Sequence, residues 1–528
     1  WKWVISNMAH QGGRALTTKM WKGLVTLCKH YALQSVRPKP ITVRGTIFVN
    51  ELGELCLPEE FRDLKRITHS GISNKADGMT FMHFASTRGL PSPSKTEFLD
   101  SLNEHGARIT SEFPVTSDLI GRVGFAAHGF GVFCKSLNAV THSVAHLSLS
   151  NSASVDNPRR QGGRGVGVGI KFVKWLTELA TDDVHEQTWF GQPYWLSKGI
   201  ARFRTMCRTK LFPRADFLRS DEVLDLDYLS GIYFNPVNGL DEAVGFQLLQ
   251  WSIEEGLRMK RLIGAPYVTS ILGLSLNCST EIFPAVNVTS IGEPGGKVRT
   301  VTVGEDWLTL FLSPFGHELI SWLELLPMAR AGLGAAQQAY EYARWATYEV
   351  PKGLWFLTSD LTQASEMLVR PLVKSMLSNF IRGCGLYNRY MEVCIDLLTG
   401  PRILNLGPMG YEYSGKKTTR GCLMGDPGTK GALMLNMLVA ESVAYRMYVI
   451  PNEPLTRTPP RSPWRHFVAA GDDHFATGPR EYLELITQTL INMGADISLE
   501  KSFISKIGGI YTEELLLNTD EVLWTSVI

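Results

Sequence analysis

Two aspartates stand where a fold could join them. Asp360 follows the short apolar run Leu354 to Thr358, and Asp472 sits in Gly471-Asp472-Asp473 between Phe467 to Ala470 and Phe475 to Thr477. They are 112 positions apart. Carboxylates at neighbouring strand ends suit phosphoryl transfer, which uses two divalent cations about 3.5–4 Å apart to clamp the attacking and leaving oxygens. Magnesium takes few carboxylates and fills its shell with phosphate oxygens and water, and manganese is a possible substitute. Asp473 joins the metal and catalytic set in a secondary role, because adjacent strand residues point to opposite faces. His474 reads as a packed histidine and not a ligand. Gly-Asp-Asp alone is weak, since a plain turn has the same composition.

Other residues could meet a nucleotide. Lys297 and Arg299 are two apart in a β-branched run, so both share one strand face. Arginine can fork onto phosphate while lysine acts as a point charge. Gly425 and Gly428 would let backbone approach a nucleotide closely, or simply open a helix. Asn436, inside an apolar helix, needs a hydrogen-bond partner, either a ribose or a backbone carbonyl.

The elements that must position these residues are legible in the C-terminal half. Leu354 to Thr358 predicts a buried strand. A helix follows near Pro371, a favourable first-turn residue, with Leu372, Met376 and Phe380 at helical spacing. Ala432 to Tyr448 is apolar nearly all round, as a buried helix should be. The flanks of Gly471-Asp472-Asp473 predict a hairpin. Pro479 to Met493 predicts a helix closed by Gly494, and Ile497 to Leu499 predicts one more strand. This order predicts an α+β fold, a small antiparallel sheet backed by helices.

Composition bounds the rest. The chain has 528 residues, 44% hydrophobic and 20% charged, enough for several subdomains and against wholesale disorder. Its most apolar stretch, Leu433 to Ile450, carries Asn436, Glu441 and Arg446, so membrane insertion is not expected. Eight cysteines without a CxxC pair argue against a zinc ribbon or disulfide scaffold. The net charge is +2 but uneven. No acid precedes Glu51, and Lys198, Arg202, Arg204, Arg208, Lys210 and Arg214 form an acid-free block that suits an RNA backbone, or else a solvated face. The run from Gln161 to Gly169 lacks dinucleotide-loop spacing and reads as a flexible basic loop near RNA, or a plain linker. The chain opens on Trp1, so a preceding segment is expected.

Six segments in order carry a resemblance: Glu293 to Val301, Ser359 to Glu366, Thr419 to Thr429 with its helix, Ala470 to Asp473, Ile497 to Ser502, and Gly509 to Leu515. Together they resemble motifs F and A to E of the RNA-dependent RNA polymerases of narnaviruses and ourmia-like viruses, capsid-less positive-strand RNA viruses. Mitoviral and leviviral replicases are more distantly similar. The resemblance implies a right-hand polymerase of fingers, palm and thumb that copies an RNA template from NTPs with two magnesium ions. Residues 1–215 would be a basic extension and part of the fingers, and 216–350 fingers with motif F. Motif A would occupy 351–370, a fingers insertion 371–415, palm motifs B to D 416–505, and motif E with the start of a truncated or absent thumb 506–528. The resemblance also implies a triphosphate contact for Lys297 and Arg299, nucleotide contacts for Gly425, Thr429 and Asn436, and a general acid in Lys501, with Lys506 its competitor. Glu366 stands where the family usually has the Asp that reads the ribose 2′-hydroxyl. Template and product RNA, a genomic ribonucleoprotein and the host cytoplasm are the implied partners and place. The competing readings are an RNA-coating protein without catalysis and a reverse transcriptase, against which Gly471 argues.

Overall fold

A computed structural model of the chain describes residues 25–33, 62–70, 95–137, most of 152–164, 234–235, 239–240, 283–293, 297–333, 353–387, 389–405, 411–455, 457–498, 501–512, 514–518 and 523–526, with a few isolated positions including Tyr342. Its helices, in chain order, are α1 (Arg62–Ser70), α2 (Lys95–Ile109), α3 (Ser117–Ser136), α4 (Asp306–Leu323), α5 (Pro327–Leu333), α6 (Arg370–Cys384), α7 (Arg389–Leu398), α8 (Thr429–Val449) and α9 (Arg480–Asn492). The strands are β1 (Phe234–Asn235), β2 (Gly239–Leu240), β3 (Ala285–Glu293), β4 (Lys297–Gly304), β5 (Trp355–Ser359), β6 (Ile403–Leu404), β7 (His466–Ala470), β8 (Asp473–Gly478), β9 (Phe503–Ser505), β10 (Gly508–Tyr511), β11 (Glu514–Asn518) and β12 (Leu523–Ser526). The fold is α+β. None of the described helices is long and apolar enough to cross a membrane.

The central sheet is antiparallel, in the order β7-β8-β5-β9. Its side chains alternate between two cores, as the period of two requires. Leu357, Phe467, Ala469 and Ala476 face the main helical core. Phe356, Val468 and Phe475 face a smaller core with Tyr342, Tyr511 and Leu516. The second core is closed by the antiparallel meander β10-β11-β12, docked where Ile510 N donates to Thr358 Oγ1 at 2.9 Å. The strand expected at Ile497 to Leu499 is a correction. Ile497 makes only an isolated bridge to Leu361, and the fourth strand is Phe503–Ser505.

Helix α8 runs through the main core, with apolar residues on every face. Its buried Glu441 is matched by a bidentate Arg465, at 2.7 and 2.6 Å, and by the Tyr482 hydroxyl. Helices α3 and α6 cross closely at glycines. A Cβ on Gly131 would lie 2.1 Å from Phe380 O, and one on Gly383 would lie 2.4 Å from His128 O.

A second sheet, β4-β3-β6, carries the basic segment. The run Glu293 to Val301 spans the end of β3 and the start of β4, which pair with Glu293 opposite Lys297. The loop at 152–164 docks here through Val155 N on Gly304 O at 3.1 Å. Arg164 is drawn inward toward Asp306 and Asp426. The glycine-rich run beyond Arg164 lies outside the described residues.

Candidate active site

Strand pairing brings the aspartates together. Strands β5 and β8 pair with Ser359 opposite His474, and one further step sets Asp360 opposite Asp473. Gly471 turns the β7–β8 hairpin at φ 74°, in the left-handed region that favours glycine, and leaves Asp472 exposed at the tip. The Asp473 carboxyl is pushed up to about 8, by burial first and then by the charges of Asp360 and Asp472, against the pull of Lys501. It also hydrogen-bonds to Asp360. Asp473 is thus an intimate neighbour of Asp360. His474 is buried and held neutral, its imidazole pushed down to about 4 chiefly by burial.

Lys501 closes the cluster with an ion pair to Asp360 Oδ2. Its segment runs beside Asp360: Ser498 N donates to Asp360 O at 3.0 Å, Asp360 N to Ser502 Oγ at 3.2 Å, and Thr362 N to Asp496 O at 2.8 Å. Burial pulls the Lys501 ammonium down, but the three aspartates outweigh it and hold the group above its ordinary value. Lys506 lies elsewhere, over the Trp355 ring at 4.7 Å, at the opposite end of β5.

The charge of the site fits divalent cations. Three carboxylates against one ammonium leave excess negative charge, and the raised Asp473 carboxyl registers that strain. Yet no group of three His, Cys, Asp or Glu side chains converges as a ready metal cage among the described residues. Magnesium bound through one or two carboxylates, phosphate and water needs no such cage. Asp360 and Asp472 would hold it, with Lys501 moved off Asp360.

The expected nucleotide contacts divide. Arg299 lies 2.8 Å from Glu293 in an exposed pair. Such pairs contribute only about 0–1 kcal/mol, so the guanidinium can be recruited by a phosphate. The Lys297 backbone starts β4. Asn436 is buried in α8. Gly425 meets protein: its N–H donates to Thr302 Oγ1 at 3.1 Å, and a Cβ would lie 2.2 Å from Thr302 O. Gly428, at φ 96°, opens α8. The Thr429 hydroxyl donates to Leu423 O at 2.7 Å, a loop-closing bond. These three residues build the loop that opens α8. The block Lys198, Arg202, Arg204, Arg208, Lys210 and Arg214 lies outside the described residues.

Glu366 is buried, and each of its oxygens meets a side chain of α2. His105 Nδ1 lies 2.7 Å from Oε1, and Arg108 Nε lies 2.6 Å from Oε2. Burial pushes its carboxyl up, but the His105 and Arg108 contacts prevail and hold it below its ordinary value. Sequence reasoning missed both partners; a histidine and an arginine three apart in an amphipathic helix were the available signal. It also missed the ion pair of Asp426 and Arg402, 3.1 Å apart with both side chains buried. Arg370 supports the same loop through Thr418 O at 2.7 Å and Thr418 Oγ1 at 2.6 Å.

Over 163 residues the chain is 34% identical to the RNA-directed RNA polymerase of Saccharomyces 20S RNA narnavirus. The matched stretch is 30% of this chain and 18% of that protein, so the chain spans about a fifth of the length of the curated relative it matches. No family model matches the chain. Among solved structures, it is similar to the RNA-dependent RNA polymerase of a human picorbirnavirus, with a TM-score of 0.35 and 17% identity over 46% of this chain and 45% of that one. An insertion-loop deletion mutant of the same enzyme gives a TM-score of 0.34 and 16% identity, covering 46% of each chain.

Proposed function

We propose that the protein is a viral RNA-directed RNA polymerase that copies an RNA template from NTPs on a right-hand scaffold. The β7-β8-β5-β9 sheet would be the palm, with fingers built around the β3–β4 hairpin. The observation that carries this reading is the assembly of Asp360, Asp472, Asp473 and Lys501 at one end of one antiparallel sheet, from three separate segments. Likeness to a narnaviral polymerase over 163 residues supports it.

In the reaction, the 3′-hydroxyl of the growing RNA gives up its proton to water, and its oxygen forms a bond to the α-phosphorus of the NTP. The bond from that phosphorus to the bridging oxygen breaks, and pyrophosphate leaves. Two magnesium ions, or manganese in their place, would be held by Asp360 and Asp472 and would supply positive charge at the attacking and leaving oxygens. Asp473 sets the charge and position of Asp360 through their shared hydrogen bond. Arg299 and Lys297 receive the triphosphate. Lys501 gives a proton to the departing pyrophosphate, a role that typically contributes about 10²–10⁴-fold. Asn436 and Glu366 read the ribose. Template and product RNA track the basic N-terminal block, and the protein works in the host cytoplasm as part of a genomic ribonucleoprotein.

The test is extension of an RNA primer, with ribo- and deoxyribonucleotides offered on RNA and DNA templates. Templated ribonucleotide addition on RNA is expected. A preference for deoxynucleotides would make the protein a reverse transcriptase, and RNA binding without extension would make it a coating protein.

A further inference from the structure

Helix α2 lies outside every segment that carries the resemblance, yet it touches three of them. Ser101 Oγ lies 3.0 Å from Thr300 Oγ1 on β4, and Ser290 Oγ on β3 donates to Phe98 O at 3.3 Å. Thr419 N and Arg420 N both donate to Ile109 O, at 2.9 and 3.2 Å. The third contact is that of Arg108 and His105 with Glu366, at 2.6 and 2.7 Å. One helix therefore sets the spacing of the triphosphate hairpin, the turn after Asp360 and the loop before α8.

The Glu366 contact is built for orientation. A buried carboxylate held by a nitrogen on each oxygen loses its rotational freedom. Glu366 and Arg108 cancel each other's charge, which suits an uncharged hydroxyl better than a phosphate. Two donors there, Arg108 Nη2 and the Tyr411 hydroxyl, and the ring nitrogen His105 Nε2 remain without partners among the described residues. Tyr411 is within reach of the Glu366 charge; burial, then Tyr413 and Glu366, push its hydroxyl up to about 12. Buried donors left unpaired are rare in native proteins. A sugar hydroxyl, which both donates and accepts, matches a fixed carboxylate ringed by such donors.

We infer that Arg108 and His105 are positioning residues for sugar recognition, holding Glu366 in the orientation that distinguishes a ribonucleotide from its 2′-deoxy analogue. The inference rests on the polymerase reading. A site that bonds a substrate hydroxyl rejects the analogue lacking it, because its own polar groups are then left unpaired. Loosening Glu366 should blunt that discrimination without removing the machinery around Asp360.

The experiment uses the full chain and single-nucleotide addition to an RNA primer–template, measuring kcat and KM separately for an NTP and its 2′-deoxy analogue. Arg108→Gln should lower the ribo-to-deoxy ratio of kcat/KM about tenfold, chiefly through a higher KM for the ribonucleotide. Arg108→Lys should restore part of it. The double variant Arg108→Gln/Glu366→Gln should discriminate no worse than Glu366→Gln alone, because coupled residues are not additive. If Arg108→Gln does not fold, as judged by its melting transition, His105→Phe carries the same expectations. A folded variant with the parent's ratio, or a double variant whose losses multiply, would overturn the inference and leave the polymerase reading intact. A parent that adds no nucleotide would overturn both.

Discussion

At the residue scale, Asp473 makes the sharpest statement. In the absence of cations its carboxyl sits near 8, far above the ordinary aspartate value of about 3.9. Between those values the folded state binds a proton that the unfolded state has lost, so stability falls as pH rises through that window. Asp473→Asn removes this term. In chelator, it should melt higher than the parent at pH 8 and show little difference near pH 4. Added magnesium should raise the parent's melting temperature more than the variant's. A parent whose cation-free stability does not fall between pH 4 and 8 would contradict the crowding of three carboxylates. Lys501 is tested by replacement. Arginine keeps the charge but scarcely yields a proton, so a general acid predicts slowed nucleotide addition in Lys501→Arg with nucleotide affinity largely kept. Full activity in Lys501→Arg would reduce the role to charge alone.

At the element scale, the loop before α8 depends on buried charge. Asp426 and Arg402 are both buried, and burial pushes the Asp426 carboxyl up despite Arg402, Arg164 and Arg370. Removing one partner leaves the other charge uncompensated, which costs about 3–5 kcal/mol. Arg402→Met should therefore lower the denaturant midpoint strongly, and a change under about 1 kcal/mol would show that the pair is not buried as described. The elements were legible where a local signal marked them. The β7–β8 hairpin is flagged by a turn glycine between alternating runs, α9 by Pro479 and Gly494, and α8 by its unbroken apolar faces. Strand β9 was misplaced because Ile497-Ser498-Leu499 alternates apolar and polar while Phe503-Ile504-Ser505 does not, and the pairing of β9 with β5, beside the Ser359–Ser502 contact, has no local signal. For contacts between distant segments, such as Glu366 with His105 and Arg108, sequence shows at most the helical spacing of the two partners and nothing of the segment they meet.

At the scale of the whole molecule, the N-terminal region is woven into the catalytic half. The helical turns at 25–33 reach the edge of the central sheet, where the His30 ring meets Phe503 at 5.5 Å and Ser505 Oγ donates to Leu33 O. Helix α2 braces the β3–β4 hairpin and the loop before α8. Beyond the described residues, the acid-free block should supply RNA affinity. Reversing the charge of Arg204 and Arg208 should weaken binding to all sequences alike, with the salt slope falling by about one unit per lost contact. An unchanged slope would return the block to a solvated face.

The central claim is that Asp360 and Asp472, joined only by the sheet, form one cation clamp for RNA synthesis. Its most direct measurement is primer extension by Asp472→Asn, which preserves shape and removes one charge, alongside RNA affinity in the same buffer. Synthesis should fall by orders of magnitude while RNA affinity stays within about twofold, because binding rests on distant basic residues. Near-normal synthesis by this variant would contradict the account.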